Sequence, residues 1–272
     1  MPTRNFFELT TDNASECNLT ELNAAETVDS GFVSHNDWLS HVNRYAYVMK
    51  RLLKSDTSSL LDVGCGRMQL PYFLWKNRAR PQNQEFAYWG LELRAQRKWL
   101  PAEDQGWKVP INLVKTDILV DSYDQLPGWP GQFDTVVCFE TFEHVPREAA
   151  PGLMRRLFEW TKPGGTCLFS TPNAGVSNST AENHLDDDGV SREWTFEEKL
   201  SVAAQAGFTV EETFGTFCGT TRLPEEVQDR FESDLLLRQA KKFLSHAAFT
   251  TLVCAAYPSY SNNALFHMVR PA

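Results

Sequence analysis

Short apolar runs alternate with helix-patterned stretches along most of this chain, and that alternation narrows the folds open to it. SLLDVGCG (59–66), FAYWGLEL (86–93), INLVKTDI (111–118), FDTVVCFE (133–140) and TCLFST (166–171) are strand-length, and FTVEETF (208–214) and ALFHMVR (264–270) follow. Each is bounded by turn residues, as strands are. Between them, residues 67–78 read as a helix, and 147–161 as another with Leu153, Leu157 and Phe158 on one face. Lys162-Pro163-Gly164-Gly165 reads as a turn. Thr195 and Glu198 form a capping box for a helix that Gly207 ends. Pro224 is placed to open a long helix reaching about Ser245. Ahead of the first strand, Trp38, Leu39, Val42, Tyr45, Ala46, Met49, Leu52 and Leu53 recur at helical spacing within 35–54, where Ser34 and Asp37 make a second capping box. Strands alternating with helices imply right-handed βαβ units and an α/β fold around a mainly parallel sheet. Such sheets bind ligands beyond the carboxyl ends of their strands, where strand order reverses.

Composition removes several alternatives. The 272 residues are 42% hydrophobic, ample for a core, and no apolar run reaches the ~18 residues of a membrane span. The N-terminus lacks a secretory pattern. Net charge is −9, which opposes a nucleic-acid-coating role. Residues 1–30 hold one Arg against six acids, a balance of −5, leaving −4 for the rest. They read as an acidic, loosely attached tail, with 31–272 as the functional domain. Cys17, Cys65, Cys138, Cys167, Cys218 and Cys254 form no CxxC pair, so they read as reduced thiols of a cytoplasmic protein.

The chemistry gathers at strand ends. Asp62-Val63-Gly64-Cys65-Gly66 is a glycine turn directly after a strand, where missing Cβ atoms let backbone approach a ligand. The third glycine of a dinucleotide fingerprint falls on Gln69, so a pyrophosphate ligand is disfavoured. Glu92 ends the second strand, where a carboxylate can accept two hydrogen bonds from a ribose diol. Asp117 ends the third, placed to hold an adenine amino group while Ile118 packs on the ring.

In this order, LLDVGCG, GLE, TDI, FDTVVCFETFEHV and KPGGTCLFSTPN resemble the class I S-adenosylmethionine-dependent methyltransferases over about residues 58–215. The resemblance implies a Rossmann-like seven-stranded sheet with helices on both faces and the last strand antiparallel. It implies cofactor contacts from Asp62, Gly64, Cys65 and Gly66 to the methionine part, from Glu92 and Leu93 to the ribose, and from Asp117 and Ile118 to the adenine. Phe139 and Glu140 would lie beside the reactive methyl.

Glu140-Thr141-Phe142-Glu143-His144 resembles two narrower groups, the ubiquinone-biosynthesis O-methyltransferases and the small-RNA 3′-terminal 2′-O-methyltransferases. On a helix, positions i, i+3 and i+4 share a face, and two carboxylates with an imidazole suit Mg²⁺ or Mn²⁺. Glu140, Glu143 and His144, with His184 as a displaced fourth ligand, form that expectation. Without a metal, His144 is the general base, with Glu143 beside it. REWTFEE (192–198) also resembles the RNA enzymes, whereas Asp186-Asp187-Asp188 in the polar loop 173–191 would repel a polyanion. In this class the substrate pocket is usually built by the N-terminal helix (35–54) and an insertion before the last strand, here 217–258, so His41, Tyr45 and Phe217 are expected substrate contacts. The reading is O-methylation of a small-molecule acceptor. Methylation of an RNA 3′ end is the alternative, and a nicotinamide-dependent oxidoreductase or a non-catalytic cofactor-binding protein is the rival of another class.

Overall fold

A computed structural model of the chain describes residues 36–52, 57–66, 68, 70–71, 74, 86–93, 110–118, 131–176, 185, 189 and 191–272, less the side chains of 36–38, 40 and 41. The elements are α1 (Asn36–Leu52), β1 (Ser59–Val63), β2 (Ala87–Glu92), β3 (Ile111–Lys115), β4 (Phe133–Phe139), α2 (Ala150–Trp160), β5 (Thr161–Pro172), α3 (Phe196–Ala206), β6 (Thr209–Phe217), α4 (Glu225–Ser233), α5 (Leu235–Phe243), α6 (His246–Cys254) and β7 (Asn263–Val269). The seven strands form one sheet in the order β3-β2-β1-β4-β5-β7-β6. Strands β1 to β5 pair in parallel, and β7 runs antiparallel between β5 and β6. Strand order reverses between β1 and β4, so the expected binding crevice lies at their carboxyl ends.

Side chains of period two sort onto the two faces of the sheet. Leu61, Val63, Val136, Cys138, Cys167, Phe169, Phe266 and Met268 pack with Leu153, Leu157 and Trp160 of α2 and Val202 of α3. Leu60, Val137, Leu168 and Leu265 face the other way, onto Val48 and Leu52 of α1. A third cluster, Leu223, Val227, Phe231, Phe249 and Val253, gives the segment before β7 a core of its own.

The capping box at α3 is present in both directions, and Gly207 closes that helix at φ 105°. Three expectations need correction. The long helix from Pro224 to about Ser245 is two helices, α4 and α5: Asp234 between them adopts an extended conformation and its carboxylate accepts from the Leu237 N–H, and Ser245 caps the next helix, α6, in the same way. Local side-chain acceptors thus restart the helix twice. The KPGG turn lies within β5, which starts at Thr161 opposite Phe133 and takes a register shift before Thr166. Phe217 ends β6 as a buried residue and does not open the insertion. The expected helix 67–78 lies mostly outside the described residues, as do the tail 1–30, His184 and Asp186–Asp188.

Candidate active site

The glycine turn leaves β1 with Gly64 at φ 72° and Gly66 at φ 55°, a region that L side chains rarely adopt. A Cβ on Gly64 would lie 2.0 Å from Thr141 Oγ1, so glycine is required there by space as well as by φ. The N–H groups of Gly64 and Cys65 donate to the Leu91 carbonyl at 2.9 and 3.0 Å. Gly66 N donates to Glu92 Oε2 at 2.9 Å. Strand register therefore delivers Glu92 to the turn, although 26 residues separate the two. Cys65 is buried with its sulfur over β2, where a Cβ on Gly90 would meet it at 2.8 Å.

Asp62 is buried at the end of β1 and accepts a hydrogen bond from Tyr88 Oη at 2.6 Å. Burial pushes its carboxyl up to about 7; the Glu92 charge adds to this, and the Tyr88 hydrogen bond opposes it. A carboxyl with one hydroxyl donor among the described residues suits a cationic ligand group, which would restore its charge. Thr116 N donates to the Glu92 carbonyl at 3.2 Å, setting Asp117 beside Glu92 along the crevice. Leu93 is exposed at that edge. Ile118 packs against the α2 side of the core, and its carbonyl accepts from Arg156. The carboxylates Asp62, Glu92 and Asp117 therefore stand along one line of strand ends, a set that fits an ammonium, a ribose diol and an exocyclic amine in turn.

At the end of β4, Phe139 lies 6.4 Å from the Tyr45 ring and 5.8 Å from the Arg44 guanidinium. Tyr45 thus reaches the site from α1; His41 is on the same helix, with its side chain outside the description. Glu140 has φ 50° and accepts from Arg44 Nη1 (2.5 Å), Ser170 Oγ (3.1 Å) and Asn263 Nδ2 (2.5 Å). Glu143 is buried and accepts from Thr171 Oγ1 at 2.7 Å. Burial, and then the Glu140 charge, push its carboxyl up to about 8. His144 closes a three-residue 3₁₀ turn (Phe142–His144) as an exposed side chain, and its carbonyl accepts from Arg192 Nη1 at 3.1 Å.

Glu140, Glu143 and His144 are therefore not gathered on one helical face. Among the described residues no three His, Cys, Asp or Glu side chains are placed to hold a metal ion. A divalent ion would have to draw Glu140 from its three donors and Glu143 from Thr171, so the donor set does not fit one as it stands.

The REWTFEE stretch acts as a clamp. Arg147 Nη1 donates to the Glu193 carbonyl and Nη2 to Glu198 Oε1, both at 2.5 Å, and its guanidinium lies 4.7 Å from the Trp194 ring. Sequence reasoning missed Arg44, Tyr88, Thr141, Ser170, Thr171, Lys199 and Asn263. Arg44 carried a signal, because it stands four residues before Val48 and eight before Leu52 on the buried face of α1. Lys199 is buried and donates to the carbonyls of Thr171 (3.2 Å) and Pro172 (2.5 Å) and to Asn173 Oδ1 (2.5 Å).

Comparison with known proteins agrees with this fold. The chain is 29% identical over 119 residues to a ubiquinone biosynthesis O-methyltransferase of Idiomarina loihiensis, covering 44% of each chain. It is 37% identical over 119 residues to the enzyme of the same description from Methylococcus capsulatus, covering 43% of this chain and 44% of that one. The matched segment spans under half the length of these curated relatives. A 1,6-didemethyltoxoflavin-N1-methyltransferase structure from Burkholderia thailandensis shares the fold at TM-score 0.52 and 14% identity, covering 93% of this chain and 92% of that one. A family profile described as a methyltransferase domain matches residues 36–213, and the chain belongs to that family, the class I S-adenosylmethionine-dependent methyltransferases.

Proposed function

We propose that this enzyme transfers a methyl group from S-adenosylmethionine to an oxygen of a small-molecule acceptor. The observation that carries the cofactor half is the Gly66–Glu92 contact of 2.9 Å, which joins the turn and the ribose-binding acid at the reversal of strand order. The names of the two O-methyltransferase relatives support oxygen as the acceptor atom. S-adenosylmethionine supplies an electrophilic methyl and a good leaving group, so the protein's part is positioning and proton removal. Asp62 and the backbone of Gly64, Cys65 and Gly66 hold the methionine part, Glu92 with Leu93 the ribose, and Asp117 with Ile118 the adenine. Phe139 and Tyr45 border the acceptor side. His144 is the proton acceptor, because it is exposed just beyond the end of β4 and imidazole is the side chain most often used for proton transfer. Glu143, buried on Thr171, holds the turn that presents His144. Five buried free cysteines support a reducing, cytoplasmic setting, and no helix among the described residues is long and apolar enough to cross a membrane.

Calorimetry with S-adenosylhomocysteine and with NAD tests the cofactor; binding of NAD alone overturns the reading. With a radiolabelled methyl donor, a panel of catechols, hydroxybenzoates and short RNA 3′ ends tests the acceptor. The expected outcome is labelling of a small hydroxylated molecule, unaffected by EDTA and reduced about 10²–10⁴-fold in His144→Ala with S-adenosylhomocysteine affinity retained. Labelling of the RNA alone, or loss of activity in EDTA, refutes the corresponding part.

A further inference from the structure

We infer that Arg44 and Glu140 are positioning residues that set the shape of the glycine turn from the opposite side of the crevice. This rests on the reading of that turn as the cofactor cradle. Three donors from three elements converge on one carboxylate: Arg44 of α1 at 2.5 Å, Ser170 of β5 at 3.1 Å and Asn263 of β7 at 2.5 Å. Arg44 also donates to Ser170 Oγ at 2.8 Å, and its side chain is 1% exposed. The carboxylate belongs to a non-glycine residue at φ 50°, a conformation that persists where surrounding contacts over-determine it.

That left-handed residue directs the next one. Immediately after Glu140 the chain doubles back, and Thr141 Oγ1 comes within 3.3 Å of the Val63 carbonyl and 3.2 Å of the Phe139 carbonyl. The same oxygen occupies the space that a Cβ on Gly64 would need. The path from α1 to the turn is therefore short and covalent in its middle: Arg44 to Glu140, Glu140 to Thr141, Thr141 to Val63 and Gly64. Removing the guanidinium takes away the one cationic donor to Glu140 among the described residues, releases the left-handed residue and lets Thr141 leave the turn. Glu140 thus has a role apart from ligating a metal or touching the cofactor, and α1, the element that brings Tyr45 to the acceptor side, is coupled through it to cofactor binding.

The test is S-adenosylhomocysteine affinity by calorimetry on the full chain, with the melting temperature of each variant measured in parallel. Arg44→Met and Glu140→Ala should each weaken binding about tenfold. The double variant should lose no more than the weaker-binding single, because both act through one contact. Glu140→Gln should stay within about threefold of the parent despite a lower melting temperature, since an amide can still accept from Arg44 and Ser170 once Asn263 turns its own amide. Arg270→Ala removes donors to the carbonyls of Phe158, Glu159 and Thr161 at the other end of the sheet; it should lower the melting temperature and leave affinity unchanged. Should Arg44→Met fail to fold, Ser170→Ala and Asn263→Ala remove the remaining donors singly and should weaken binding in the same direction. Unchanged affinity in folded Arg44→Met or Glu140→Ala, additive losses in the double variant, or an equal loss in Arg270→Ala would overturn the proposal. A parent chain that binds no S-adenosylhomocysteine would remove the cofactor reading and this coupling together.

Discussion

Glu143 is buried with a hydroxyl donor, Thr171, and no cation bonded to it among the described residues, and this has a consequence for stability. Its carboxyl is pushed from 4.5 up to about 8, so between those values the folded chain holds a proton that the unfolded chain releases. Stability then falls as pH rises through that window. Asp62, raised to about 7, adds the same sign over a lower range. Lys199 has the opposite sign: burial lowers it from 10.5 to about 7, so stability rises with pH between those values. Glu143→Gln keeps an acceptor for Thr171 and deletes one titration. Denaturant unfolding between pH 5 and pH 7 should therefore show a smaller stability loss in the variant, by up to about 3 kcal/mol at ~1.4 kcal/mol per pH unit. An unchanged pH slope would mean that Glu143 is already ionised at neutral pH.

At the scale of elements, the strands were legible because their apolar runs are short and bounded, and seven expected strands are the seven observed. The α3 ends were legible too, since a capping box and a following glycine act locally. Thr195→Ala removes the acceptor for the Glu198 N–H (3.2 Å) and leaves Glu198 its bond to the Thr195 N–H (2.7 Å). A loss of about 1 kcal/mol is expected. In native-state hydrogen exchange it should concentrate in the first turn of α3, with the turn around Glu140 keeping its protection. What was not legible is the path after β4. A helix there would have placed Glu140, Glu143 and His144 on one face. Glu140 instead turns left-handed, with no glycine or asparagine to announce it, and is held by partners 30, 96 and 123 residues away. Those long-range donors override the local pattern, which is why the site's acids were visible in the sequence and their partners were not.

For the whole molecule, charge and family extent coincide. The family match begins at residue 36, where α1 also begins, and residues 1–30 carry −5 of the net −9. Every site group named above lies from His41 onward. If the acidic segment took part in cofactor binding, it would add negative charge near Asp62, Glu92 and Asp117 and oppose a further carboxylate or phosphate ligand. If it does not, a chain comprising 31–272 should bind S-adenosylhomocysteine with an affinity within about twofold of the full chain. Its melting temperature should agree within about 2 °C if the segment also buries no contacts, since such a segment shifts stability by under ~0.5 kcal/mol. The salt dependence of binding distinguishes the two cases further: an acidic arm near the crevice would make affinity rise with salt in the full chain and not in the shortened one. A fall of several degrees in the shortened chain would instead assign the segment to the folded domain, and the boundary at residue 31 would move toward the N-terminus.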